Sequence, residues 1–228
     1  MTLNQAAKID LHMHTTASDG YLTPTELVQL LSRRAVDVAA ISDHDTTEGL
    51  DEAIAEAKKH PGLRIIPAIE LSADHPTDEK SDVHVLGYFL QYHDYAFQSR
   101  LKTFREGREE RGLLMVRKLA ELGYQVDWER VKAIAGDASI GRPHVARALV
   151  ERGYVSSVKE AFKGLLEDGG PAFVDKTHIS MREAVDLIRS VGGVPVLAHP
   201  LYIPQYEDVL AMLPDLGFAG FEVHYGDF

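Results

Sequence analysis

The sequence predicts an α/β protein: a barrel of parallel strands with helices outside it, interrupted by an all-helical segment. Three observations predict this. Short apolar runs alternate with amphipathic helical patterns over residues 1–95 and again over 172–228, the mark of repeated βα units. The stretch between them, 96–171, has helical periodicity and no convincing strand. Finally, His12, His14, His44, Glu70, His199 and Glu222 fall at or near predicted strand ends, where barrels gather their functional groups.

The elements follow in order. KIDLHMH reads as a strand. Thr23-Pro24-Thr25-Glu26 starts a helix, with Thr at the cap, Pro at the first helical position and Glu three residues after the cap. Leu27, Leu30 and Leu31 mark its buried face. VDVAAIS is a second strand. EGLDEAIAEAKKH is a second helix, with Lys58, Lys59 and His60 where positive charge suits a C-terminus, and Pro61-Gly62 breaks it. LRIIPAIELS and DVHVLGYFL are the third and fourth strands. LKTFREGREERGLLMVRKLAELG is a long amphipathic helix, and residues 139–170 hold at least two shorter ones. PAFVDK reads as a short strand. Ser180 to Glu183 forms a second capping box, opening SMREAVDLIRSVGG. GVPVLAH is a strand, YEDVLAMLPDLG a helix and FAGFEVHY a strand.

Composition narrows the function. The 228 residues are 45% hydrophobic, enough for one sizeable core. A net charge of -11 argues against wrapping bulk nucleic acid. The charge is uneven, with 14 Lys/Arg against 11 Asp/Glu in 96–171 and 10 against 24 elsewhere. A mildly basic insertion suits an anionic partner or is simply a solvated helical face. There is no Cys, so any metal site must use nitrogen and oxygen ligands. No signal-peptide pattern opens the chain and no apolar run reaches membrane-spanning length. The expectation is a cytoplasmic protein with no membrane partner.

Several segments carry chemistry. In a strand, His12 and His14 share one face with Asp10, about 7 Å apart by strand rise, and both can point at one ion. They can equally be two satisfied core histidines. Asp43-His44-Asp45 ends the second strand, and two carboxylates beside an imidazole there suit a cation, or else a polar loop before a helix cap. Glu70 ends a strongly apolar strand and needs a partner, either Arg64, Lys80 or a metal. His84 and His199 repeat the pattern in VHVLGY and VPVLAHP. Four strands each delivering His or Glu to one end point to a multinuclear metal site. His60, His75, His93, His178 and His224 read as structural.

DLHMHTTASDG, ISDHDT, IPAIELS, HVLGY, GRPH and LAHP, in this order, resemble the PHP (polymerase and histidinol phosphatase) family, most closely its stand-alone phosphoesterases with a helical insertion. The resemblance implies a distorted (β/α)7 barrel binding two or three divalent ions, manganese first and zinc or iron as alternatives. It implies that His12, His14 and Glu70 ligate one ion and Asp19 and His44 a second. Glu70 then bridges towards a third, held by His84 and His199. Arg142 and His144, in the insertion, resemble substrate-phosphate contacts, while His199 or His144 is a candidate to assist the leaving oxygen. An ordinary solvated Arg142 at a helix start is the bland alternative.

The implied activity is hydrolysis of phosphate monoesters by a metal-activated hydroxide. The substrate is a small phosphorylated metabolite, foremost a nucleotide such as a nucleoside 3',5'-bisphosphate. The alternatives are a 5'-3' exonuclease on short oligonucleotides, a histidinol-phosphate phosphatase, and a non-catalytic metal-binding module. The family pattern ends in a Gly-Ser-Asp-x-His-like motif on a last strand, and no such motif occurs here. The barrel is therefore expected to lack its last strand, as a piece of a longer protein would.

Overall fold

The computed structural model describes residues 7–78, 81–136, 140–167, 169–174 and 179–225. Six strands form one sheet in chain order: β1 Ile9–Met13, β2 Val38–Ile41, β3 Arg64–Asp74, β4 Asp82–Tyr88, β5 Val194–Leu197 and β6 Gly220–Phe221. The sheet is a curled half-barrel in a mixed α/β fold. The β1–β2, β2–β3 and β5–β6 pairs are parallel, as the βα alternation predicts. β4 corrects that expectation, because it runs antiparallel to both β3 and β5. The cause is local: the connection from Asp74 to Asp82 is too short for a crossover, which needs about a dozen residues or more.

Helices α1 Pro24–Arg33 and α2 Leu50–Ala57 cover β2. Thr23 caps α1 as the sequence predicts: its side chain accepts from Glu26 N and the Glu26 carboxylate accepts from Thr23 N. Leu27, Val28, Leu31, Leu50 and Ala53 pack with Ala39 and Ile41 of the sheet. Helices α3 Tyr95–Glu121, α4 Trp128–Ala135, α5 Arg142–Glu151 and α6 Val158–Ala161 follow β4. Met115, Leu119, Val131, Leu149 and Leu166 give them a hydrophobic cluster of their own. Helices α7 Met181–Ser190, with the second capping box at Ser180 and Glu183, and α8 Tyr206–Leu216 complete the set. Ile188 of α7 and Val209 of α8 join Ile69, Leu71, Val85 and Leu197 in the main core. Burying each such Leu or Ile side chain contributes about 1.5–3 kcal/mol before entropy is counted.

Three local expectations change. Pro171–Val174 forms no strand, and the rest of PAFVDK lies outside the described residues. The last strand covers only Gly220–Phe221, so Glu222 stands just beyond it. Glu70 is inside β3, not at its end, because pairing with β4 carries β3 on to Asp74. Lys80 and His178 lie outside the described residues. Among the described residues β1 and β6 form the two edges of the sheet.

Candidate metal centre

The centre is built around Glu70, whose side chain is 1% exposed. Its Oε2 lies 3.1 Å from His12 Nε2, 3.1 Å from His14 Nε2 and 3.3 Å from His44 Nδ1. Its Oε1 lies 2.8 Å from His84 Nδ1 and 3.0 Å from His199 Nε2. The imidazoles form a closed ring around the carboxylate. Successive centroids are 5.1 Å apart from His12 to His14, 4.6 Å to His44, 5.0 Å to His84, 5.0 Å to His199 and 5.8 Å back to His12. Asp19 stands on one side, 3.6 Å from His14 Nδ1 and 3.9 Å from His44 Nε2.

The backbone explains the convergence. His12 and His14 alternate along the end of β1, so both project to one face. The β1–β2 register shifts between Asp10 and Met13, a local irregularity just where the histidines turn inwards. His44 is an isolated parallel bridge partner of Glu70, locked by Glu70 N donating to Asp43 O and Asp45 N donating to Glu70 O. His84 pairs with Ser72, two residues from Glu70, and so lies diagonal to it on the same face. His199 follows β5 at φ 29° and Asp45 has φ 52°. Left-handed backbone at a non-glycine residue costs about 1–3 kcal/mol and persists only where surrounding contacts hold it.

The turn after β1 is held from beneath by buried Asp43. Its carboxylate accepts from Thr15 N at 2.7 Å, Thr15 Oγ1 at 2.7 Å and Ser18 Oγ at 2.6 Å. Gly20 closes the turn so tightly that a Cβ there would stand 2.4 Å from the His14 carbonyl oxygen. Asp19 is thereby presented to His14 and His44.

Electrostatics in this cluster are extreme. Burial is the largest influence on Glu70 and raises its pKa, but the imidazoles of His44, His84, His12 and His14 together hold it well below the usual carboxylate range. Burial opposes charge on His12 too, yet Glu222 and Glu70 push it up to about 10. His44 goes the other way, well below the ordinary imidazole range, because burial dominates there. Burial likewise lowers His144 and raises Asp43.

The donor set fits divalent cations. It offers only imidazole nitrogen and carboxylate oxygen, and the chain has no Cys. Ring nitrogens face each other at 3.1 Å (His12 and His14) and 3.2 Å (His84 and His199). His44 Nδ1 and His199 Nδ1 are buried with no hydrogen bond among the described residues. Three groups bring their ligand atoms within 4.8 Å of one another: His12/His14/Glu70, His14/Asp19/His44 and His44/Glu70/His84. The structure also brings His199 to Glu70 and His84.

A cavity of about 180 Å³ opens beside Asp19, His44 and His84, with Arg108, Arg111 and Arg142 in its wall. Arg142 stands 3.8 Å from Asp82 and over the rings of Phe162 and Phe173. His144 does not line this cavity. It is buried, its Nδ1 accepts from Gly141 N at 2.9 Å, and it lies by the backbone of Ser18. Arg147 donates to Asp19 O from the same helix. On the other side a wider cavity, about 800 Å³, runs between β1 and β6.

Two residues were given no role by the sequence reading, although Glu222 was noted at a strand end. Glu222 places both oxygens 3.0 Å from His12 Nδ1 and accepts from His199 N at 2.8 Å. Its signal was present, a carboxylate after a strand end, but no motif position matched it. Arg108 carried no signal, being one of many arginines in an amphipathic helix. Among the histidines read as structural, His75 is buried with Nε2 2.8 Å from Pro204 O, His60 stands 3.3 Å from Glu56 and His93 3.2 Å from Asp51.

Comparison with known proteins adds a common theme. The PHP domain family model matches residues 10–167. The chain is 37% identical over 194 residues to a 5'-3' exoribonuclease of Haemophilus influenzae, covering 85% of this chain and 69% of that one. It is 35% identical over 195 residues to a 3',5'-nucleoside bisphosphate phosphatase of Chromobacterium violaceum, covering 85% and 67%. Among solved structures, an amidohydrolase from Chromobacterium violaceum with bound sulfate superposes with a TM-score of 0.85 at 32% identity, covering 94% of this chain and 76% of that one.

Proposed function

The chain belongs to the PHP domain family, and from that premise we propose that it is a metal-dependent phosphoesterase releasing phosphate from a nucleoside 3',5'-bisphosphate or a closely similar nucleotide. The observation that carries this reading is the juxtaposition of a Glu70-centred imidazole ring with an arginine-lined cavity. The ring suits hard cations, and the cavity beside it suits the anion they act on.

In this reading His12, His14 and Glu70 would hold one ion, Asp19 and His44 a second, and Glu70, His84 and His199 a third. We favour manganese. Such ions would supply an activated water and neutralise phosphoryl charge. The protein's own groups do the rest. Glu222 fixes the orientation of His12 by accepting from its ring, which commits the opposite nitrogen to the centre. Arg142 offers its guanidinium to the phosphoryl oxygens, where a planar fork matches the anion. The backbone N–H of His199 is anchored by Glu222, which would hold its ring as a ligand in this reading and leave the leaving oxygen to take its proton from another group or from water. His144 serves the substrate side through the Ser18–Asp19 turn it packs against.

A second reading is exonucleolytic trimming of short 5'-phosphorylated oligonucleotides. The exoribonuclease relative supports it. So does the site's rim: Arg147 packs over the ring of Tyr21, which is 81% exposed and offers a face for base stacking. The test is phosphate or nucleotide release with manganese, comparing a nucleoside 3',5'-bisphosphate, a 5'-phosphorylated oligonucleotide and histidinol phosphate. The bisphosphate is expected to give the highest kcat/KM. Release from none of the three would defeat both readings.

A further inference from the structure

Arg108 stands in the wall of the cavity shared by Asp19, His44 and His84, with a side chain only 15% exposed. Two of its three nitrogens are committed. Nε donates to Asp45 Oδ2 at 2.5 Å and Nη2 donates to Ser72 Oγ at 2.9 Å. Asp45 is itself buried and accepts from Ser72 N at 3.1 Å, so the guanidinium is held in one plane by a closed network. Nη1 makes no hydrogen bond among the described residues. It lies on the Gly141 side, 3.5 Å from where a Cβ on that residue would stand. The position is therefore a rigid cation with one donor group left for a ligand.

Charge decides which ligand. Arg108, Arg111 and Arg142 line the cavity against the two carboxylates Asp19 and Asp82. Asp45 pairs with Arg108 and Asp82 faces Arg142, so what Arg108 keeps for a ligand is its uncommitted Nη1 donors, held rigidly beside the groups that would serve the hydrolysed phosphoryl group. A second phosphate matches them. We propose that Arg108 is the specificity-determining residue that reads the substrate's other phosphate, the one that is not hydrolysed. This rests on the phosphoesterase reading given above.

The experiment measures kcat/KM with manganese for adenosine 3',5'-bisphosphate and for p-nitrophenyl phosphate, on the wild type and on Arg108→Gln. The ratio of the two values does not depend on how much enzyme is metal-loaded, so damage to the His44–Asp45 turn does not imitate the effect. One charge-assisted hydrogen bond predicts that this ratio falls about ten- to a hundredfold, chiefly through KM for the bisphosphate. An unchanged ratio overturns the proposal and leaves Arg108 as a support for Asp45. If the wild type hydrolyses neither compound, the phosphoesterase reading fails instead. Calorimetry of adenosine 3',5'-bisphosphate against both adenosine 3'-monophosphate and adenosine 5'-monophosphate on both proteins then judges Arg108 separately, and affinity ratios equal in the two proteins for both monophosphates count against it.

Discussion

Glu70 touches five imidazoles while almost wholly buried, and no arrangement of protons satisfies all five at once. Replacing one oxygen by an amide puts a donor where cations or imidazolium groups belong. Glu70→Gln is therefore expected to lose bound metal and at least about a hundredfold of phosphate release, as loss of a central ligand should. Both are read directly by elemental analysis and a phosphate assay. Glu222→Gln is milder: about ten- to a hundredfold in metal affinity, with the fold intact, measured by calorimetry. An affinity equal to the wild type would show that His12 needs no such partner. At this scale much was legible from sequence. The alternation of His12 and His14 and the apolar strand around Glu70 announced the centre. Glu222 was noted at a strand end but left without a role, because it matched no motif position and its pairing with His12 is a tertiary contact. Arg108 was missed because the periodicity of α3 records burial, not what a guanidinium faces.

The elements carry the centre on four hydrophobic clusters among the described residues, and two of the regions can be probed alone. Glu56 on α2 accepts from Gln29 of α1 and pairs with Lys59 and His60, the bond to Lys59 being the strongest influence holding its pKa down at about 2. A lowered carboxyl pKa contributes stability above the ordinary carboxylate range, lost as pH falls from there towards about 2. Glu56→Gln should therefore lower Tm at pH 7 and lose that difference near pH 2, read by thermal melts across pH. In the α3–α6 cluster Leu149 is fully buried, and Leu149→Ala should cost about 2–5 kcal/mol on urea unfolding. The capping boxes at Thr23 and Ser180 were readable because the cap chemistry is local. The direction of β4 was not, since pairing partners are a tertiary matter, although the short Asp74-to-Asp82 connection contained the clue.

At the scale of the whole molecule, the half-barrel leaves β1 and β6 as edges, with Ile9, Phe221 and Val223 exposed beside the centre. Glu222 nonetheless ties the end of β6 to His12 of β1, so the two edges meet at the candidate ligands themselves. No helix among the described residues is long and apolar enough to cross a membrane. The account stands on one claim, that the imidazole ring around Glu70 is a divalent-metal centre. Elemental analysis of protein purified without chelator, with manganese supplied, tests it most directly. The expected result is about two or three ions per chain in the wild type and loss of most of them in Glu70→Gln. Fewer than about one ion per chain in the wild type, or equal loading of the two proteins, would contradict it.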